Sequence, residues 1–302
     1  MGHEKEEKPY RLHYGAKAFL RMKSKLTNTL AALLLLCSLP LWAETVHLKM
    51  PSGIPAQASF HAGNPGQGAV LLLHGFLQAG DFSTLQQLHD ELAEAGYTVL
   101  APTITLGIPD RHESLGCGSL HLTEIGDEVA EVQTWVTWLR QHSTGPIYLL
   151  GHSHGARLMI IWASRNRARR VHGLLAVSLT GGKPSARQER TLRRRLGQLP
   201  PTQLVHEPLS FCPRYTAPAA AYLGYLRWDD TRVLRTITDL RLPVAVILGG
   251  ADPNLPHDWA ARLRHAGAHV TVLPHASHFM NSLHQFALLD WVLAQLKAPP
   301  GS

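Results

Sequence analysis

The sequence has few charged residues, and it lacks any internal repeat of 20 to 50 residues. Charged residues make up 17% of the chain and hydrophobic residues 45%, a balance typical of a globular protein and not of a disordered one. The absence of a repeat argues against solenoid and propeller architectures, which are built from such units. A chain of 302 residues can bury one large core, so we expect a single main domain.

A recognisable nucleic-acid-binding motif is also lacking, although the net charge is +7. Residues 1–43 hold seven Lys or Arg and three Glu, a net charge of +4, which leaves only +3 for the remainder. Because so much of the positive charge lies in this short stretch, the net charge of the whole chain is a weak argument for a nucleic-acid partner. We therefore predict no binding to nucleic acid.

The N-terminal stretch is typical of an export signal. Three basic residues precede an uncharged run, 26–43, which ends in the small residue Ala43. We predict cleavage after Ala43, which would separate an N-terminal extension with its signal peptide, residues 1–43, from a folded domain, residues 44–302. The mature protein would then be periplasmic or secreted. The alternative is an uncleaved membrane anchor, because a helix over this run would be about 27 Å long, marginal for crossing a bilayer.

Cysteine is scarce, and removal of the predicted signal would leave only Cys117 and Cys212. Disulfides persist in oxidising compartments outside the cytoplasm. Export therefore favours a single bridge between these two residues. The alternative is a pair of separate thiols.

The sequence Gly-His-Ser-His-Gly at 151–155 places Ser153 between two glycines. The preceding residues, 147–150, form a short apolar run typical of a buried parallel strand, and residues 157–164 carry a helical apolar pattern. The two glycines lack a Cβ atom, which allows a tight reversal of the backbone. Strand, sharp turn and helix are the context in which a serine becomes an exposed nucleophile, and we predict that role for Ser153. The alternative is a glycine-rich turn with an incidental serine.

Apolar runs and helical patterns alternate along most of the chain, which predicts an α/β fold with a mostly parallel sheet and helices on both faces. A hairpin at 45–61 is expected at one edge of the sheet. The alternation stops between about 180 and 228, where no strand is apparent, so we predict that this segment forms a cap over the site. The predicted strands are 69–73, 98–101, 147–150, 173–178, 244–248 and 269–273, and the predicted helices are 83–95, 123–141, 257–266 and 282–296.

A serine nucleophile needs a base, and the base needs a carboxylate that orients it. Asp252 and His278 each follow one of the last two predicted strands, so both would lie beyond the carboxyl ends of those strands. Ser153, Asp252 and His278 also occur in the chain order expected for this arrangement. His275 is the alternative base. Asp258 is the alternative acid, although it falls within a predicted helix.

The negative charge that develops on a substrate oxygen needs two backbone N–H groups directed at it. We predict that His154, which directly follows the serine, supplies one of them. Phe76 is the predicted second donor, because it follows the His74-Gly75 pair at the end of a predicted strand. Together these two amides would form an oxyanion hole.

Histidine is abundant, with nineteen residues, but no set of ligands has a familiar metal-binding spacing. His152 and His154 flank the serine in a tight turn, where their side chains are not expected to converge. We therefore predict no metal. The basic clusters at 165–170 and 187–195 are typical of solvated helix faces. For the second cluster, within the predicted cap, the alternative is attraction for anionic substrates or peripheral contact with a membrane surface.

Four motifs together resemble the α/β-hydrolase fold superfamily, namely HGF at 74–76, GHSHG at 151–155, GGAD at 249–252 and HASHF at 275–279. The resemblance implies an eight-stranded, mostly parallel sheet with a cap inserted after the sixth strand. It further implies an esterase-like or lipase-like serine hydrolase that needs no cofactor. Such an enzyme would cleave an ester, thioester or amide of a small-molecule or lipid-like acyl substrate through an acyl-serine intermediate. The alternatives are a peptidase of the same fold and a hydrolase-fold protein that binds a ligand or partner without turnover.

Overall fold

The computed structural model describes residues 43–166, 170–180 and 186–297. The predicted export segment, residues 1–43, lies outside this part of the chain except for Ala43. Within the described ranges, no helix combines the length and apolar character needed to cross a membrane.

The strands and helices predicted outside the cap are present, with bounds within two residues of those expected. The strands are β1 (Glu44–Lys49), β2 (Pro55–His61), β3 (Ala69–Leu73), β4 (Thr98–Pro102), β5 (Ile147–His152), β6 (Val171–Val177), β7 (Leu204–Leu209), β8 (Cys212–Pro218), β9 (Val244–Gly249) and β10 (His269–Leu273). The helices are α1 (Ser83–Glu94), α2 (Ile125–Gln141), α3 (His154–Arg165), α4 (Ala186–Leu196), α5 (Ala219–Leu226), α6 (Asp230–Asp239), α7 (Trp259–His265) and α8 (His284–Lys297).

Eight strands form one sheet in the order β1-β2-β4-β3-β5-β6-β9-β10. Strand β2 runs antiparallel to both of its neighbours, and the remaining pairs in the sheet are parallel. The prediction of an α/β fold with an eight-stranded, mostly parallel sheet is therefore confirmed. Because parallel strands share one direction, the carboxyl ends of β3, β5, β6, β9 and β10 lie at one edge, where ligands bind in such sheets.

Helices cover both faces of the sheet, and alternate side chains of its central strands point to opposite layers. In β3, Leu71 packs in the core cluster that includes Trp135 of α2, whereas Leu72 packs in the cluster that includes Leu85 of α1. Each residue of β3 is buried. This two-sided burial explains why the strand is a continuous apolar run and not an alternating one.

The chain between β6 and β9 contains α4, the strands β7 and β8, and the helices α5 and α6. The expectation that this segment has no strand is wrong, because β7 and β8 pair as an antiparallel two-stranded ribbon. Pro208 and Pro213 interrupted the strand pattern in the sequence. Both strands of a two-stranded ribbon are edge strands, where a missing N–H donor can face away from the partner.

The cap is joined to the body at the turn between β7 and β8. Cys117, in the long loop after β4, forms a disulfide with Cys212, the first residue of β8. A few residues further along, the His121 amide donates to the carbonyl oxygen of Thr216 in β8 at 2.9 Å. The loop and the ribbon are therefore connected both covalently and by hydrogen bonding.

Reduction of the Cys117–Cys212 bridge is expected to destabilise the protein. The bridge spans a sequence separation of 95 residues, and loss of a cross-link over such a loop lowers the free energy of unfolding by up to about 4.5 kcal/mol. Urea unfolding of oxidised and reduced protein measures this difference. The Cys117→Ala, Cys212→Ala double variant is the control, because its unfolding should not respond to reductant. Equal midpoints for oxidised and reduced wild type would contradict the prediction.

Candidate active site

Ser153 lies at the sharp turn between β5 and α3. Its backbone has a conformation that residues other than glycine rarely adopt. Its φ is 53° and its ψ is −113°. A Cβ atom at Gly151 would lie 2.4 Å from the amide nitrogen of Ala156, and one at Gly155 would lie 2.4 Å from the carbonyl oxygen of Leu73. The turn can therefore form only with glycine on each side of the serine.

The structure brings Ser153, His278 and Asp252 together in one hydrogen-bonded series. The hydroxyl oxygen of Ser153 is 3.0 Å from Nε2 of His278, and Nδ1 of His278 is 2.5 Å from Oδ2 of Asp252. The side chain of Asp252 has no exposed surface, and that of His278 is 16% exposed. The other two candidates lie apart from this series: His275 is exposed, and Asp258 is an exposed residue directly before α7, not inside a helix as expected.

The environment of Asp252 keeps this carboxyl group ionised. Burial alone would raise its pKa, but hydrogen bonds from His278 and from the amide of Asn254, together with the charge of His278, lower it below the usual value. An ionised carboxylate can only accept, so Nδ1 of His278 carries the proton that it donates to Asp252. Nε2 is then free to accept the hydroxyl proton of Ser153.

The two residues predicted to supply backbone donors are neighbours. His154 is the first residue of α3, and Phe76 lies in the turn after β3; their rings meet edge to face with centroids 5.5 Å apart. Among the described residues, neither amide donates to a backbone carbonyl. Their role as donors to a ligand beside Ser153 stays a prediction.

A buried arginine holds the loop that carries Phe76. Arg111 is 4% exposed. It donates from Nε to the carbonyl oxygen of Ile104 at 2.8 Å and from Nη2 to that of Gln78 at 2.7 Å. His74 completes the support, since its Nε2 accepts from the amide of Ile104 at 3.0 Å. Burial and the nearby arginine charge lower the pKa of His74 to about 3, which keeps the ring neutral.

Glu131 of α2 lies behind this loop and is 3% exposed. Its carboxyl oxygens accept from the amide and the hydroxyl group of Thr105, at 2.8 and 2.5 Å. Burial raises the pKa of Glu131 to about 7, and the two hydrogen bonds only partly oppose this shift. No sequence pattern indicates this role, because a glutamate on a helix is ordinarily solvated.

A second buried carboxylate connects the serine turn to the cap. Glu128 of α2 is 2% exposed; one of its oxygens lies 2.9 Å from Nε2 of His154, and the other accepts the hydroxyl proton of Tyr225 in α5. Burial and the charge of Glu128 raise the pKa of Tyr225, so this hydroxyl group stays protonated and donates. The carboxylate of Glu128, in the body, therefore contacts both the serine turn through His154 and the cap through Tyr225.

No group of three potential ligands is arranged to hold a metal ion within residues 43–166, 170–180 and 186–297. The hydrogen-bonded side chains of Ser153, His278 and Asp252 can activate the serine hydroxyl group. The amides of Phe76 and His154 remain the predicted donors to an adjacent negative charge.

A mostly parallel sheet of this order, with a serine turn after its fifth strand, is the arrangement of an α/β hydrolase. The chain belongs to the alpha/beta hydrolase family, whose sequence profile matches residues 70–288. It is thus a member of a family of hydrolases. No curated protein matches the sequence significantly.

Solved structures share the fold at low sequence identity. Est1E from Butyrivibrio proteoclasticus is 16% identical with a TM-score of 0.60, over 84% of this chain and 99% of that one. The alpha/beta hydrolase GrgF from Penicillium sp. sh18 is 15% identical with a TM-score of 0.62, over 86% and 98% of the two chains. A Paleococcus ferrophilus monoacylglycerol lipase is 18% identical with a TM-score of 0.59, over 84% and 98%.

Replacement of Glu131 by glutamine is expected to remove a pH dependence of stability. The pKa of this carboxyl group is about 7 in the folded protein, whereas a solvated glutamate has a pKa of 4.5. The folded state therefore binds the proton more tightly, and stability should fall as the pH rises through this window, by about 3 kcal/mol in total. Glu131→Gln cannot ionise, so its stability should fall less between pH 5 and pH 8.

Urea unfolding at several pH values measures this effect. Glu94→Gln, which changes an exposed glutamate at the end of α1, is the matched control and should keep the wild-type slope. A Glu131→Gln slope equal to that of wild type would show that the buried carboxyl group does not cause the fall.

Proposed function

We propose that the protein is a serine hydrolase that cleaves a carboxylic ester through an acyl-serine intermediate. The observation that carries this proposal is the hydrogen-bonded series from Ser153 through His278 to Asp252. The name of the monoacylglycerol lipase with a similar fold supports an ester, with thioesters and amides as the neighbouring substrate classes. No cofactor is needed for this chemistry.

In the first half of the reaction, the hydroxyl oxygen of Ser153 attacks the carbonyl carbon of the ester, while Nε2 of His278 takes the hydroxyl proton. The carbonyl oxygen becomes an oxyanion, and the amides of Phe76 and His154 donate to it. The carbon–oxygen bond to the leaving group then breaks. The leaving alcohol takes the proton from His278, and the acyl group remains on Ser153.

In the second half, a water molecule takes the place of the alcohol. His278 accepts a proton from the water as its oxygen attacks the acyl carbon, and the same two amides again stabilise the oxyanion. Collapse of this intermediate breaks the bond to Ser153, whose oxygen recovers the proton from His278. The carboxylic acid leaves, and throughout the cycle Asp252 stabilises the charge on the imidazole ring.

We also propose that the enzyme works outside the cytoplasm. The Cys117–Cys212 disulfide supports this location, since such bonds persist in oxidising compartments. The sequence of the N-terminal extension supports it independently through the basic residues and uncharged run described above.

A serine-directed fluorophosphonate probe tests the proposed mechanism. Wild type should be labelled at Ser153, whereas Ser153→Ala should not be labelled and should lose ester hydrolysis. His278→Gln should lower kcat by several orders of magnitude, because no base remains. His275→Gln is the matched control, since this exposed histidine lies in the same loop and should keep wild-type kcat.

The substrate class is determined with the same proteins by comparing the rates at which they hydrolyse esters of graded chain length and aminoacyl amides. Faster turnover of the amides would favour a peptidase. A wild-type protein that neither reacts with the probe nor hydrolyses any substrate would contradict the proposed function and would favour a binding protein.

The cap offers one surface for peripheral contact with anionic lipid, and we propose this contact on the basis of α4. Arg193 and Arg195 of this helix are bound by acidic side chains. Arg190 and Arg194 are exposed. A basic residue near an anionic membrane contributes about 1 kcal/mol to binding, so these two residues could hold the cap at such a surface.

Replacement of both exposed arginines should weaken binding to anionic vesicles. We expect Arg190→Gln with Arg194→Gln to reduce the affinity for phosphatidylglycerol-containing vesicles by about 30-fold at low salt, as two basic contacts are lost. Sedimentation with vesicles measures the affinity. The matched control is Arg235→Gln with Arg241→Gln, two exposed arginines outside the cap. Equal weakening by both pairs would contradict a specific role of the cap.

A further inference from the structure

The loop that carries His278 is not held by strand pairing. It follows β10 and contains three residues other than glycine with positive φ: His275 at 59°, Met280 at 47° and Ser282 at 56°. Such conformations are unfavourable for these residue types and persist only where surrounding contacts enforce them. Other contacts must therefore fix the position of His278.

Two buried side chains hold the peptide group of His278. Nε2 of His152 lies 3.0 Å from the carbonyl oxygen of His278, and the hydroxyl group of Ser178 donates to the same oxygen at 2.6 Å. His152 is 1% exposed and Ser178 has no exposed surface. His152 ends β5 and Ser178 directly follows β6, so both donors are fixed by the central sheet.

The chemistry of His152 allows only one direction for this hydrogen bond. A carbonyl oxygen accepts and cannot donate, so Nε2 of His152 must carry a proton. Burial lowers the pKa of His152 to about 4, so the ring is neutral near pH 7 and Nδ1 is unprotonated. Nδ1 has no hydrogen-bond partner among the described residues, and it lies where a Cβ atom on Gly75 would approach to 3.0 Å.

Aromatic packing prevents the ring of His152 from turning away. Its centroid is 6.0 Å from that of Phe82 and 5.9 Å from that of Phe279, with both rings stacked. Gly75 belongs to the loop of the predicted oxyanion donor Phe76, and Phe279 follows His278. The ring of His152 therefore contacts both the loop of Phe76 and the loop of His278. His152 also directly precedes Ser153 in the chain.

We infer that His152 is a positioning residue that, together with Ser178, sets the distance between the base His278 and the nucleophile Ser153. This inference rests on the proposed function. His152 does not act as a second base, because its unprotonated Nδ1 is buried against Gly75 and burial lowers the pKa of the ring to about 4. It acts through His278, since any shift of the serine turn is transmitted by the ring of His152 to the loop of the base.

The test uses variants that separate the donor from the shape of the ring. His152→Phe keeps a flat ring beside Phe82 and Phe279 but removes the N–H donor, and we expect kcat to fall about 10- to 100-fold through misplacement of the base. KM should stay within about twofold, because ground-state binding is not affected. His152→Gln retains an N–H donor at similar reach and should recover most of the lost kcat.

Ser178→Ala removes the second donor. It should lower kcat less than His152→Phe, and the double variant should lose more than the product of the two single losses, since the carbonyl oxygen of His278 is then left without a donor. Tyr148→Phe is the matched control. It removes a hydrogen bond of 3.2 Å from β5 to the carbonyl oxygen of Leu296, away from the site, and should lower the melting temperature without changing kcat.

Crystal structures of wild type and His152→Phe provide a readout that does not depend on turnover. We expect the distance from Nε2 of His278 to the hydroxyl oxygen of Ser153 to lengthen beyond hydrogen-bond range in the variant. Wild-type kcat together with an unchanged distance in His152→Phe would overturn the inference. So would equal losses of kcat in His152→Phe, His152→Gln and Tyr148→Phe, which would indicate general destabilisation.

Failure of the proposed function gives a different result. In that outcome wild type itself neither hydrolyses esters nor reacts with the fluorophosphonate probe. The crystallographic distance then still decides whether His152 and Ser178 hold the loop of His278: a lengthened distance supports the positioning role, and an unchanged one overturns it.

Discussion

The parallel hydrogen bonding of β3, β5, β6, β9 and β10 is the constraint on which the rest of the structure depends. Parallel strands deliver their carboxyl ends to one edge of the sheet, so residues separated by more than a hundred positions in the chain become neighbours there. Ser153, Ser178, Asp252 and His278 each follow a different strand of this set. None of these side chains could be held at hydrogen-bond distance by local sequence alone.

Much of this arrangement could be predicted from the sequence. The central strands are buried on both faces and therefore form continuous apolar runs, and the serine turn requires glycine at 151 and 155 because backbone atoms approach closely there. The ribbon of the cap cannot be predicted from the strand pattern, because prolines interrupt β7 and β8. The bounds of α1 and α2 follow from their amphipathic patterns, since each of these helices buries one face.

The buried charged residues could not be predicted. Arg111, Glu128 and Glu131 occur in a loop and on a helix, where charged side chains ordinarily face solvent. In the structure they are 2–4% exposed, and each is paired with hydrogen-bonding groups around the turn of Phe76 or beside His154. Burial of a charge is unfavourable unless such partners are present. These contacts therefore make the site's backbone rigid in a way that composition and periodicity do not reveal.

The disulfide bears on which cysteines pair when the chain is oxidised. Cys117 precedes the serine turn and Cys212 follows it, so the native bridge closes a loop that contains β5 and β6. A third cysteine, Cys37, lies in the N-terminal extension. In a chain that retains Cys37, oxidation can join three different pairs of cysteines. In a chain without that extension, it can join only Cys117 and Cys212. Early proteolytic trimming would therefore protect the protein from scrambled cross-links.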